Sequence, residues 1–193
     1  MANVITKSYK KDIFCIEGHW EKDMRKTDSI QPALKLLNLN MGVKFYYQRS
    51  ATLEEIAHVS LEYSKKKYNK YIIYYYAFHG LPNSIQVGNK HINLEELAER
   101  LEGKLAGKII HFGCCQTLGI NKRRLTNFLN KTGALAISGY TKDIDFLRST
   151  TLDILYFHTC QFWQDIRKIE SEMNKLYRQM SKDLGFRIVY RTQ

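Results

Sequence analysis

The sequence predicts an α/β fold: a three-layer sandwich with a mostly parallel, six-stranded sheet and helices on both faces. Three observations carry this expectation. Short apolar runs alternate with helix-period segments along most of the chain, the pattern of a sheet wound with crossover helices. Two of those runs, residues 71–78 and 108–114, are apolar almost throughout, as strands buried on both faces are. Crossovers of this kind are right-handed, which makes neighbouring strands parallel. The spacing gives no strand order.

The elements follow in order. Asp-Ile-Phe-Cys-Ile-Glu at 12–17 reads as a short buried strand. Ser29 is placed to cap a helix running to about residue 39, with Pro32 in its first turn. Residues 43–48 form a second strand. Thr52-Leu-Glu-Glu55 has capping-box form and opens a helix to about residue 68. Residues 71–78 are a third, central strand. Residues 84–92, around Gly88-Asn89, read as a small hairpin. Asn93 caps a helix that ends near Gly107. Residues 108–114 are a fourth strand, 122–130 a helix ended by Gly133, and 134–138 a fifth strand. Helices are expected over 146–161 and 165–182, and residues 186–190 close the chain as a sixth strand.

At 193 residues, 44% of them hydrophobic and 25% charged, residues 1–193 are expected to form a single soluble domain. No apolar run reaches the roughly 18 residues that span a bilayer. The first ten residues lack a signal-peptide apolar stretch, so the expected location is cytoplasmic. Cys15, Cys114, Cys115 and Cys160 form no CxxC pair, which argues against a zinc site and for reduced thiols; no metal and no cofactor are expected. The net charge of +11 invites a nucleic-acid reading. The basic residues are scattered, however, and the densest runs, Lys65-Lys66-Lys67 and Lys122-Arg123-Arg124, fall on expected helices without a recognition motif. Nucleic acid is therefore an unlikely partner, and a membrane is not expected.

Chemistry gathers at two strand ends. The third strand delivers His79 followed by Gly80, and the fourth delivers Cys114 and Cys115. If the two strands are parallel neighbours about 4.8 Å apart, an imidazole meets a thiol at one sheet edge. An adjacent base activates a cysteine nucleophile. Alternation along a strand turns the two thiols to opposite faces. Cys114 continues the buried run, whereas Cys115 meets the polar Gln116-Thr117, so Cys115 is the expected nucleophile and His79 its base. The N–H groups of Gly80 and Cys115 are candidate oxyanion donors. His111, inside the strand, is expected to be structural.

This pattern resembles the caspase-type cysteine peptidases, a group that includes metacaspases, separase and the bacterial CHAT peptidases. Phe78-His79-Gly80 is similar to that group's His-Gly. Lys108-Ile-Ile-His-Phe-Gly-Cys-Cys115 is similar to its nucleophile strand, and Ala134-Leu-Ala-Ile-Ser-Gly-Tyr140 to the strand that follows. The likeness in element order runs from Asp12 to Tyr190. The sequence departs from the caspase Gln-Ala-Cys-Arg-Gly, reading Gly113-Cys-Cys-Gln-Thr117 instead, and has no obvious acidic linker for interchain cleavage. The resemblance implies a caspase-like fold and a cysteine endopeptidase. It also implies a P1 pocket near the end of the first strand and the loop after the fifth. Those segments carry Glu17, Asp143 and Asp145, so the expected substrate-binding carboxylates favour cleavage after Arg or Lys. Asp143 and Asp145 could instead cap the helix that starts at Phe146.

The expected partners are a protein or peptide substrate and a possible activating protein. Two alternatives stand beside the peptidase: a catalytically inactive caspase-like module that binds a partner, and a basic nucleic-acid-binding α/β protein.

Overall fold

The computed structural model describes residues 9–21, 23 and 25–191. The expectation of no signal peptide falls on residues 1–10, of which 1–8 lie outside the described residues. The chain begins with β1 (Asp12–Glu17), α1 (Gln31–Met41), β2 (Phe45–Arg49) and α2 (Leu53–Tyr63), followed by a short 3-10 turn at Lys66–Tyr68. Next come β3 (Tyr71–Ala77), β4 (Gly80–Leu81), β5 (Ser84–Val87), β6 (Lys90–Asn93), α3 (Leu94–Arg100) and β7 (Ile109–Phe112). The last part holds α4 (Lys122–Thr132), β8 (Ala136–Tyr140), α5 (Phe146–Cys160), α6 (Ile166–Leu176), α7 (Arg178–Leu184) and β9 (Phe186–Tyr190).

Six strands form the main sheet in the order β2-β1-β3-β7-β8-β9. All neighbours are parallel except β8 and β9, which run antiparallel. The predicted six-stranded, mostly parallel α/β architecture is therefore present. Alternation along the strands splits the interior into two cores. One face carries Phe14, Ile16, Tyr74, Tyr76, Ile110 and Phe112 against α2, α3 and α4. The other carries Ile13, Cys15, Ile73, Tyr75 and Ala77 against α1, α5, α6 and α7. Helices thus cover both faces, and β3 and β7, buried on both, show the near-continuous apolar sequence that parallel central strands need.

Several helix starts were legible as side-chain chemistry. Thr52 accepts from Glu55 N at 3.2 Å and Asn93 from Glu96 N at 2.8 Å, each satisfying an orphan donor of the first turn. Glu55 does not complete the capping box; its oxygens take Gln48 Nε2 and Ser50 Oγ, tying the helix to the end of β2. Ser29 is not the N-cap of α1. That position is Ile30, and Ser29 Oγ accepts from Gln31 N at 3.0 Å while donating to Glu17.

Other boundaries moved. The helix expected to reach residue 68 ends at Tyr63, and the one expected to reach Gly107 ends at Arg100. The helix expected over 165–182 is two helices, broken at Tyr177, whose φ of −126° and ψ of 24° leave the helical region. The hairpin at Gly88-Asn89 is present as β5 and β6, but Gly80–Leu81 adds a third strand to it, making a small antiparallel sheet.

The core makes a direct stability prediction. Leu97 of α3 is fully buried, and Leu97→Ala is expected to cost about 2–5 kcal/mol through lost burial and a residual cavity. Leu39 of α1 is 83% exposed, and Leu39→Ala is expected to stay within about 0.5 kcal/mol of the parent. Urea denaturation of the two variants checks the contrast.

Candidate active site

The pairing of β3 with β7 sets the site. Tyr75 lies opposite His111 and Tyr76 opposite Phe112, and the Gly113 N–H carries the ladder one step further to Tyr76 O at 3.0 Å. The paired strands end there, and the segments that leave them carry His79 and Cys115 to the same edge of the sheet. Both side chains line one cavity of about 190 Å³ at the C-terminal edge of the sheet. The two strand ends expected to converge do converge.

Alternation also separates the thiols as expected. Cys114 is buried in the α2–α4 core and donates to Tyr76 O at 3.3 Å. Cys115 is half-buried, lines the cavity, and its thiol is turned toward Ile144 O at 3.9 Å. Burial raises the Cys114 thiol far above its ordinary range, raises Cys15 strongly and pushes Cys160 up to about 12. These three thiols are held neutral and inert.

His79 is exposed at the cavity mouth, and its Nε2 lies 2.6 Å from Trp20 O. A carbonyl can only accept, so this bond places the proton on Nε2 and leaves Nδ1 as the ring's free basic nitrogen in the neutral imidazole. The Trp20 ring also packs edge-on against His79 and against Phe146, with centroids 5.3 Å and 5.2 Å apart. Trp20 was not legible as a site residue, because the contact that matters is made by its backbone.

Gly80 is fixed by close approach. A methyl group built on it would lie 2.4 Å from both Cys115 O and Thr117 Oγ1. Glycine is therefore what lets the His79 segment pack against the Cys115 loop. Gly80 pairs with Ile85 next to a Gln86 N–H bond to His79 O, which makes the pair the non-hydrogen-bonded kind. Its own N–H points away from β5. Among the described residues the Cys115 N–H has no backbone acceptor. Both expected oxyanion donors are thus uncommitted to the sheet ladder.

The three expected substrate-binding carboxylates do not line the cavity. Glu17 is fully buried and spent on its own chain: it accepts from Trp20 Nε1 at 2.5 Å, Ile30 N at 2.8 Å, Ser29 Oγ at 2.7 Å and Tyr47 OH, with Arg49 Nε 3.6 Å away. Its work is to pin the loop after β1 to the sheet. Asp145 is the N-cap of α5, accepting from Arg148 N at 2.8 Å. Asp143 is exposed and accepts from Gln116 Nε2 at 2.7 Å.

The acid that does line the cavity is Asp153 of α5. It accepts from Tyr75 OH at 2.6 Å and Tyr140 OH at 2.5 Å, and its Oδ1 lies 2.7 Å from His111 Nε2. Burial, reinforced by Asp153 itself, raises both phenols well above their ordinary value, which keeps them as O–H donors. His111 is structural, as expected, with Nδ1 2.9 Å from Ser138 Oγ. The signal for Asp153 was present in the sequence: an aspartate on the apolar stripe of a helix, in step with Ser149, Leu152, Tyr156 and Phe157.

Fold and site together define an α/β protein with a cysteine and a histidine presented at the C-terminal edge of a mostly parallel sheet. The chain belongs to a family of unknown function, DUF6642, which it matches over residues 10–190. No curated protein matches the sequence.

Two outcomes are expected from this geometry. Maleimide labelling of the native protein near pH 8, mapped by mass spectrometry, modifies Cys115 at least about tenfold faster than Cys15, Cys114 or Cys160. Glu17→Ala, which strands several buried donors, lowers unfolding stability by roughly 3–5 kcal/mol in urea denaturation.

Proposed function

We propose that this chain is a caspase-like cysteine endopeptidase working in the cytoplasm. The observation that carries the reading is that His79 and Cys115, delivered by two neighbouring parallel strands, line one cavity. The mechanism follows from the atoms present. His79 Nδ1 takes the Cys115 thiol proton, and the thiolate attacks the scissile carbonyl carbon. The oxyanion that forms is held by the N–H groups of Gly80 and Cys115. The imidazolium returns its proton to the leaving amine, giving a thioester between Cys115 and the N-terminal fragment. A water, deprotonated by His79, then hydrolyses the thioester and regenerates the thiol. The Trp20 carbonyl holds Nε2–H throughout and stabilises the charged ring. The four free thiols suit a reducing compartment.

One observation favours a second reading, a catalytically inactive module that binds a partner. The Cys115 thiol is turned to Ile144 O rather than to the imidazole. In the peptidase reading this is a resting state, and closure of the loop carrying Ile144, driven by substrate or an activating protein, brings the sulfur to Nδ1. The nucleic-acid alternative is weakened by pairing within the basic runs: Lys65 and Lys67 both meet Glu62, and Arg124 meets Glu95.

The test is peptide hydrolysis across a fluorogenic panel. Cys115→Ala is expected to abolish turnover with the fold intact by circular dichroism, and His79→Ala to reduce kcat/KM by about 10²–10⁴. A parent protein that cleaves nothing with any candidate activator, yet binds a partner unchanged by Cys115→Ala, establishes the inactive module instead.

A further inference from the structure

We infer that Asp153 is the specificity-determining residue of the cavity and selects a basic side chain, arginine or lysine, at the residue whose carbonyl Cys115 attacks. The inference rests on the peptidase reading for its chemistry, but the cavity argument stands on geometry. The cavity is graded in depth and in polarity. His79 and Phe146 are exposed at the mouth and Thr150 is half-buried, whereas Tyr75, Phe78, Ile30 and Asp153 are each 2% exposed or less. The lining is mostly apolar and aromatic, with the hydroxyl residues Ser149 and Thr150 on the α5 side. Such a shape suits a side chain with a long apolar stem and a charged tip.

The charge at the base decides the sign of that tip. Asp153 Oδ1 is taken by His111 and Tyr140, while among the described residues Oδ2 accepts from Tyr75 alone. A carboxylate offers about four acceptor sites. One on Oδ2 is left for an N–H donor entering the cavity. Among the described lining residues no lysine or arginine is present to compete for it, although the chain as a whole carries a net +11. An acidic side chain would meet a like charge in a poorly solvated space. A neutral apolar one would fill the walls and leave the Oδ2 site dry. The aromatic rings of Trp20 and Tyr75, both lining the space, add attraction for a cation.

The experiment separates this inference from the peptidase reading. Cys115→Ala protein, which needs no catalysis, is titrated with agmatine, n-pentanol and glutarate by NMR. Agmatine is expected to bind at least about tenfold more tightly than n-pentanol, glutarate not to bind, and Asp153→Asn to lose at least that factor for agmatine. Equal binding of agmatine and n-pentanol, or undiminished agmatine binding by a folded Asp153→Asn, overturns the inference. Should Asp153→Asn fail to fold, Thr150→Arg at the cavity mouth supplies its own cation and is expected to block agmatine; unimpeded binding then overturns it.

A second arm uses the unmodified chain and peptidyl chloromethyl ketones with Arg, norleucine or Asp at P1. The Cys115 thiolate displaces chloride to form a thioether. The Arg probe is expected to label Cys115 at least about tenfold faster than the others. Equal labelling overturns selection by Asp153 and leaves the peptidase reading standing. No labelling by any probe, alongside Asp153-dependent agmatine binding, counts against the peptidase reading and supports the cation pocket.

Discussion

The pairing of β3 with β7 is the constraint on which the rest of the structure depends. Both strands are buried on both faces, so a one-residue slip would send every side chain to the wrong core. Tyr74 and Tyr76 would trade places with Tyr75, and the Tyr76 hydroxyl would lose Ser60 Oγ, 2.9 Å away. The register is therefore fixed by packing of side chains within the strands. That same register brings the segments carrying His79 and Cys115 to one edge of the sheet, and Cys114 is turned inward. The site inherits its geometry from the core.

Two buried acids divide the remaining work. Glu17 at the end of β1 has its donors supplied by its own chain: Trp20 Nε1, Ser29 Oγ and Ile30 N from the segment between β1 and α1, and Tyr47 OH from β2. Asp153 on α5 ties β3, β7 and β8 together through Tyr75, His111 and Tyr140 while keeping one oxygen less used. Gly113 makes this possible. A methyl group there would lie 2.6 Å from the Tyr75 ring, so only glycine admits the phenol that reaches Asp153. A saturated carboxylate serves structure, and an unsaturated one beside a cavity can serve a ligand.

What was legible in the sequence is what depends on local pattern. Strand alternation separated Cys115 from Cys114, the apolar runs marked β3 and β7, and the caps Thr52 and Asn93 marked helix starts. What was not legible depends on tertiary partners. The break at Tyr177 has no proline or glycine to announce it. The strand at Gly80–Leu81 is too short to show a period and exists because Ser84 and Ile85 pair with it. The expected acids do not line the cavity, because a position near a strand end does not set the direction of a side chain. Glu17 sits at the right edge but points into a cage of donors, while Asp153 reaches the cavity from the middle of a helix.

The same geometry orients the imidazole and the thiol from different loops. Trp20 is anchored through its indole to Glu17 and through its carbonyl to His79, so the imidazole is oriented by the loop after β1. Cys115 is oriented from the other side, by the loop that precedes α5 and carries Ile144. Phe146, at the start of α5, touches the Trp20 ring and is the point where the two sides meet. Trp20, Ile144, Phe146 and Asp153 line one cavity, so under the proposal a side chain bound at Asp153 would lie beside both loops. Under the proposal, the ring contacts of Trp20 with His79 and Phe146 would couple occupancy of the base to alignment of thiol with imidazole. On the proposed peptidase reading, binding energy gained at Asp153 would be available for aligning the Cys115 thiol with His79, tying recognition of the side chain to activation.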